Sequence, residues 1–298
     1  MNLKELSFPL EIYWDLTPAP RESAPDFKKI CDDIAGIKVF GLSLTDAGDT
    51  LSNSCVEILE RLKKENISIT LTVSRSVLNA STIGLLSHLK VNELLVDSSA
   101  EDDFLSLAEV VQWHKKGNMT MGISFNVGKE NYPILPRVVS FCLDNDINHL
   151  VFPMQRLTAR REPSYVTRGE REALSVKLQE MKTDGMKLTI HDPFLWKVFC
   201  PTAAFPGAGC QAANTMAYIS PEAGVYPCPS MPIAIGDLKE STLKAVLSSD
   251  NKKRVRKGLL GPPGECLGCG ELKLCFGGCR GRTFVLTGSL DRRDPACG

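Results

Sequence analysis

No stretch of this chain stays apolar over the ~20 residues that a membrane-spanning helix requires. Nor is there an excess of charge of either sign, since 35 Lys and Arg balance 35 Asp and Glu. The first absence excludes a helical membrane anchor, and the second removes the electrostatic footprint of a nucleic-acid or anionic-membrane binder. The amino terminus, MNLKELSFPLEIYWD, interrupts its apolar positions with charge and lacks a signal-peptide pattern. A soluble, cytoplasmic protein is the expectation. Histidine is scarce: His88, His114, His149 and His191 are scattered without ligand spacing and read as structural or surface residues. Only His191, before Asp192 at a strand end, stands out. Cysteine is nearly missing from the first two thirds, where Cys31, Cys55 and Cys142 alone precede residue 200.

The first two thirds alternate strand and helix patterns. ISITLTV (67–73) and MTMGISFNV (119–127) place apolar residues at every second position, and LEIYWDL, IKVFGLSL, NELLVD, NHLVFPM and MKLTI are short apolar runs of strand length. Between them, helical faces are formed by Phe27, Ile30, Cys31 and Ile34; by Cys55, Ile58, Leu59 and Leu62; and by Phe104, Leu107, Ala108 and Val111. Leu135, Val138, Val139 and Cys142 form another, and Leu174, Leu178 and Met181 a further one. Strands alternating with helices imply βαβ units and a parallel sheet. Some six units predict a partial (β/α)6 barrel, with small polar residues such as Ser68 and Thr70 facing its lumen. The three early cysteines fall on the apolar faces, where the thiol packs as a small hydrophobe.

The other eight of the eleven cysteines lie in the last 99 residues: Cys200, Cys210, Cys228, Cys266, Cys269, Cys275, Cys279 and Cys297. This shift marks the domain boundary, with 1–192 on one side and 193–298 on the other. From Cys266 the spacing is C-x2-C-x5-C-x3-C, followed by seventeen residues and then Cys297. Thiolates gathered in this way bind soft metals, and the glycines of FGGC and LGCG let backbone N–H groups approach sulfur. Iron–sulfur clusters, a zinc site and a disulfide framework are the three readings. Zinc commonly takes two C-x2-C pairs where this segment has one. Disulfides suit a secreted chain.

The array resembles the SPASM domain, the twitch-type iron–sulfur extension of radical S-adenosylmethionine peptide maturases. Cys210, Cys228, Cys266, Cys269, Cys275, Cys279 and Cys297 fill the seven positions of that pattern. ISPEAGVYPC (219–228) resembles the stretch leading to its second cysteine, with Ala223-Gly224 where Gly-Asp is usual, and IGDLKESTL (235–243) the segment that follows. The resemblance implies two [4Fe–4S] clusters. Cys266, Cys269, Cys275 and Cys297 would hold one, and Cys210, Cys228 and Cys279 the other, with Cys200 as the only local thiol for the fourth ligand. Thiolates drawn from distant segments would make folding depend on metal.

The preceding residues resemble the radical S-adenosylmethionine barrel with its chemistry removed. In EIYWDLTPAPRESAPDF, Pro20, Ala24 and Phe27 stand at the three positions of the family's C-x3-C-x2-C, and TDAGDT (45–50) stands where that family has Gly-Gly-Glu-Pro. MGISFNVGKENYPILPRVVSFC (121–142) still resembles the fifth strand and its helix. No bound S-adenosylmethionine and no radical catalysis are expected. Resemblance to companion proteins of GeoRSP-type systems implies a radical SAM/SPASM maturase, a PqqD-like peptide chaperone and a precursor peptide as partners. An electron relay, a cluster-stapled docking module and an enzyme with unrelated lumen chemistry at Asp15, Ser43, Asp46, Asp97 and Asn126 are the competing roles. NKKRVRK (251–257) reads as a solvated helix face or as a grip on an acidic partner, and Arg280 and Arg282 as cluster-facing or surface cations.

Overall fold

The computed structural model describes residues 5–16, 25–98, 111, 119–157, 162–181, 183, 185–207 and 209–298. Pro20, Ala24, Phe104, Leu107, Ala108 and His114 lie outside the described residues. Seven parallel strands follow one another in chain order: β1 (Glu11–Asp15), β2 (Gly41–Asp46), β3 (Ser68–Ser74), β4 (Glu93–Asp97), β5 (Thr120–Ser124), β6 (His149–Phe152) and β7 (Lys187–Ile190). Helices α1 (Phe27–Ile37), α2 (Asn53–Leu62), α3 (Ala80–His88), α4 (Leu135–Asp144) and α5 (Arg168–Gln179) cover the outer face.

Period-2 alternation sets the two faces of this sheet. Ile69, Leu71 and Val73 of β3 are buried with Leu42 and Leu44 of β2 in the core beneath the helices. Thr70 and Thr72 therefore face inward, level with Ser43 and Thr45 across the β2–β3 register. The helical stripes match the sequence pattern: Ile30, Cys31 and Ile34 of α1, Cys55, Ile58, Leu59 and Leu62 of α2, and Leu135, Val138, Val139 and Cys142 of α4 are all buried. Burial pushes the Cys31 and Cys142 thiols up to about 12, as expected of cysteines that serve as packing. IKVFGLSL departs from a strand in its first half. Lys38 takes a left-handed φ of 56° and closes α1, so β2 starts only at Gly41.

After β7 come α6 (Pro193–Phe199) and three more strands, β8 (Met216–Ile219), β9 (Gly224–Tyr226) and β10 (Gly236–Asp237). β8 pairs in parallel with β1, and β9 and β10 add an antiparallel ribbon, so one ten-stranded sheet runs β10-β9-β8-β1-β2-β3-β4-β5-β6-β7. β7 and β10 are its two edges, and the barrel stays open between them. The cysteine-rich third is thus built onto the edge of the barrel. It continues through α7 (Leu243–Ser248), α8 (Asp250–Lys257), α9 (Leu272–Cys275) and α10 (Arg280–Thr287).

The lumen is filled with paired polar side chains. Arg156, beyond β6, makes a two-pronged ion pair with Asp15 at the carboxyl end of β1 (2.8 and 2.9 Å) and donates to Thr45 (3.2 Å). Tyr218 of β8 donates to the same Asp15 at 2.9 Å. Deeper in, Ser43 and Tyr13 both donate to Glu11, and His149 bridges Glu93 and Thr189. Asp46 turns away and accepts the Ser52 N–H ahead of α2. Of the five polar residues considered for unrelated chemistry, Asn126 lines a cavity beside Arg156.

Candidate metal centre

The cysteines of the last third gather in two sets. Cys210, Cys228 and Cys279 line one cavity of about 270 Å³, which Cys275 of the other set also lines, closed by His191, Phe276, Gly278, Arg280 and neighbouring backbone. Burial pushes the Cys228 thiol well above its ordinary range, and the thiols of Cys210 and Cys279 beside it push it further. Burial likewise raises Cys266, with added repulsion from Cys275, Cys297 and Cys269. Cys275 and Cys297 pack with Phe194, Ala296 and Tyr165 in a small apolar cluster of their own. Cys266 and Cys275 are buried, Cys297 is half-buried and Cys269 is exposed. Among the described residues no three His, Cys, Asp or Glu side chains converge on an ion-sized point. A polynuclear cluster, in which each iron takes one thiolate, calls for thiols spread around a volume.

Cys200 stands apart. It ends α6 with its N–H on the Trp196 carbonyl (2.8 Å), it is absent from the cavity wall, and burial alone raises its thiol. The segment after it leans on α9, where Phe205 donates to the Leu274 carbonyl at 2.9 Å. Three of the four thiols expected for the first cluster thus line one cavity together with Cys275, while Cys266 and Cys275 each feel the charge of Cys269 and Cys297.

Backbone geometry prepares these sulfurs for a charged partner. The N–H of Arg282 donates to the Cys279 sulfur (3.5 Å), and the N–H groups of Ala212, of Ser230 and Met231, and of Gly277 partly offset the upward push of burial on the thiols of Cys210, Cys228 and Cys275. Such N–H···S contacts stabilise thiolate and sulfide charge. The turn that makes them requires glycine. Residues 276–278 all take left-handed φ values (50°, 89° and 78°), and a Cβ on Gly278 would meet Asp294 Cβ at 2.6 Å. The start of α10 is pressed onto the Cys228 segment at Gly281, where a Cβ would meet the Ser230 carbonyl oxygen at 2.0 Å. That contact fixes Cys279 beside Cys228. In the β8–β9 turn, Ala223 takes φ 72°, a conformation open to glycine at less steric cost.

Both arginines that flank Cys279 are buried, Arg280 at 3% exposure and Arg282 at 4%. The surface alternative is thereby excluded. Arg282 forms ion pairs with Asp192 and Asp294, the latter through two hydrogen bonds of 2.8 and 2.6 Å. Asp294 also accepts the Cys279 N–H (2.7 Å), and Asp192 caps α6 by accepting from Phe194 and Leu195. Arg280 donates to the carbonyls of Gly261 (3.0 Å) and Gly258 (3.1 Å), while its Nε–H is buried without a partner. A buried arginine on the cavity lining with no ion-pair partner among the described residues, together with an all-thiol donor set, fits a negatively charged iron–sulfur cluster.

The basic run on α8 corrects both sequence readings. Lys252 and Arg256 are buried, Lys252 on the Leu6 carbonyl (3.1 Å) and Arg256 on Glu5 (2.7 and 2.8 Å) and on the carbonyl of Cys210. Only the remaining members of the run meet solvent. Two of the five basic residues are therefore structural, and Arg256 braces the backbone at Cys210.

Residues 210–270 match the model of the SPASM family, described as an iron–sulfur cluster-binding domain. The match starts at the first cysteine of the cavity set and takes in Cys228, Cys266 and Cys269. The whole chain is similar in fold to Streptococcus suis SuiB bound to precursor peptide SuiA (19% identity, 98% of this chain and 76% of that one, TM-score 0.73). It is similar also to the same SuiB bound to S-adenosylmethionine (18%, 98% and 78%, 0.70). A third likeness is to native anSMEcpe with bound AdoMet and Cp18Cys peptide (14%, 97% and 94%, 0.66). At these identities the likeness concerns the fold: a radical-SAM-like α/β barrel followed by a SPASM segment.

Proposed function

We propose that this SPASM-bearing chain holds two [4Fe–4S] clusters and serves, without radical catalysis of its own, as partner to a radical S-adenosylmethionine maturase that modifies a ribosomally made precursor peptide. Residues 193–298 form the iron–sulfur unit and 1–192 its barrel support. Cys266, Cys269, Cys275 and Cys297 ligate one cluster. Cys210, Cys228 and Cys279 ligate the other, with Cys200 as fourth thiolate once the 200–209 segment moves in. Peptide bound in SuiB and in anSMEcpe supports a precursor peptide as the shared ligand. A PqqD-like chaperone follows from the sequence resemblance.

The observation that carries the reading is where thiols are and are not. The fold is that of the maturase-like barrels, yet no cysteine precedes Cys31, and Cys31 is buried on the core side of α1. Phe27, at one of the three positions where the family places a thiolate, begins α1 and packs on Trp14 at 6.0 Å between ring centres. At the carboxyl end of β1, Asp15 is committed to Arg156 and Tyr218. A cluster without thiolates does not assemble, so the barrel has nothing with which to bind the iron that cleaves S-adenosylmethionine.

When bound, the clusters would supply one-electron carriers, whose potentials in proteins span about −700 to +450 mV according to charge, hydrogen bonding and exposure. The chain supplies those three controls: N–H donors on the sulfurs, two buried arginines, and a second site that opens to solvent at Cys269. A staple role for the same clusters rests on the way their thiols join segments 210, 228 and 279. Reversible reduction separates the two roles, because a relay must cycle and a staple need not. The direct test of the non-catalytic part is to reduce the anaerobic protein with dithionite in the presence of S-adenosylmethionine and measure 5′-deoxyadenosine. None above the buffer control is expected, and turnover by this chain alone overturns the reading.

A further inference from the structure

Arg280 occupies an unusual position for a cation. It begins α10 directly after Cys279, lies 3% exposed, and forms no ion pair among the described residues. Its neighbour Arg282 is answered by two aspartates, but Arg280 has only the carbonyls of Gly258 and Gly261 on its two terminal nitrogens. Its Nε–H has no acceptor. An isolated buried charge and an unmet buried donor both count against the folded state. Folded chains keep such a group where a partner completes it.

Arg280 lines a cavity that holds thiols of both sets, Cys210, Cys228 and Cys279 together with Cys275, and it interacts electrostatically with Cys210, Asp291 and Cys266. The two carbonyl bonds hold the guanidinium in place at this wall. Each group, once loaded, carries net negative charge, which is the counter-charge that Arg280 lacks.

Building on the two-cluster reading, we infer that Arg280 is the counter-ion shared by both clusters, donating from Nε to sulfur at the Cys210 site and acting on the Cys266 site through charge alone. It is a positioning residue for potential, since a nearby cation and an N–H···S bond both favour the reduced, more negative cluster. The two contributions are separable. Arg280→Gln removes charge and Nε–H together, whereas Arg280→Lys keeps the charge and removes the Nε–H.

The test is a redox titration of the anaerobic, cluster-loaded protein followed by electron paramagnetic resonance, with the Cys210 cluster identified by the signal lost in Cys228→Ser. The inference predicts that R280Q lowers both midpoint potentials and that R280K lowers only that of the Cys210 cluster, at unchanged iron and sulfide. If R280Q fails to load, the R280K pattern alone decides. Potentials unmoved in R280Q at full iron, or an R280K shift that is absent or equal at both clusters, overturn the inference. Iron and sulfide on the unsubstituted protein report separately on the two-cluster reading, because their absence there refutes the clusters rather than the role of Arg280.

Discussion

A single methyl group at Gly281 should dismantle one cluster site and spare the other. A Cβ there would sit 2.0 Å from the Ser230 carbonyl oxygen and 2.5 Å from its carbon, both backbone atoms that no rotamer change can move. The closer approach is about 1.4 Å short of the 3.4 Å at which ordinary contact begins. Gly281→Ala must therefore drive the start of α10 away from the 228–231 segment, and Cys279 moves with it. Overpacking of this kind costs about 1–3 kcal/mol, and the displacement parts Cys279 from Cys228. Cys266, Cys269, Cys275 and Cys297 do not depend on that contact. Anaerobically purified G281A should thus carry about half the iron and sulfide of the parent chain and lose one of two reducible signals. Gly84→Ala is the control, since nothing lies within 4 Å of its Cβ and alanine gains about 1 kcal/mol within a helix. Full iron and an unchanged spectrum in G281A would refute the packing argument.

Arg282→Met strands the Asp294 carboxylate, which is wholly buried. Breaking one side of such a pair costs about 3–5 kcal/mol, to be read as a fall in the urea midpoint that Arg282→Met with Asp294→Asn partly restores. A loss within about 0.5 kcal/mol, the scale of ordinary surface changes, would contradict this. Cys200→Ser should weaken or convert the Cys210 cluster alone, whereas an unchanged iron content and spectrum would give Cys200 only a local role at the end of α6. Burial alone would raise the Glu93 carboxyl, but the hydrogen bond with His149 and the charges of His149 and Lys187 hold it below its ordinary 4.5. Because the folded value is the lower one, the stabilisation is fully present above pH 4.5 and is lost as pH falls through the folded value. Thermal unfolding of the parent and of His149→Gln should converge on acidification, and parallel curves would refute the pairing.

The barrel was legible because its signals are local. Alternation at Ile69, Leu71 and Val73 and the helical stripes through Cys31, Cys55 and Cys142 need only nearby residues to state which face is buried. The array from Cys266 to Cys297 was legible because its spacing is itself the signal. What escaped is pairing across distance. The Asp15–Arg156 ion pair joins residues 141 positions apart, and no periodicity marks it. The two buried basic residues of α8 left a trace, since Lys252, Val255, Arg256 and Leu259 follow helical spacing and the two apolar members are of the kind that packs inward. For Arg280 and Arg282, adjacency to Cys279 was legible, but their burial depends on partners from other segments, the carbonyls of Gly258 and Gly261 for Arg280 and Asp192 and Asp294 for Arg282. Cys200 illustrates the converse, because closeness in sequence to Cys210 does not place its thiol in the same cavity.

The central claim is that this chain carries two iron–sulfur clusters. Purification without oxygen, followed by iron and sulfide quantification and electron paramagnetic resonance after dithionite reduction, addresses it most directly. Two Cys-ligated [4Fe–4S] clusters give about eight irons and matching sulfide per chain, with reducible cubane signals. Zinc without sulfide, in any stoichiometry, would contradict the account and make the cysteine array a zinc-stapled module.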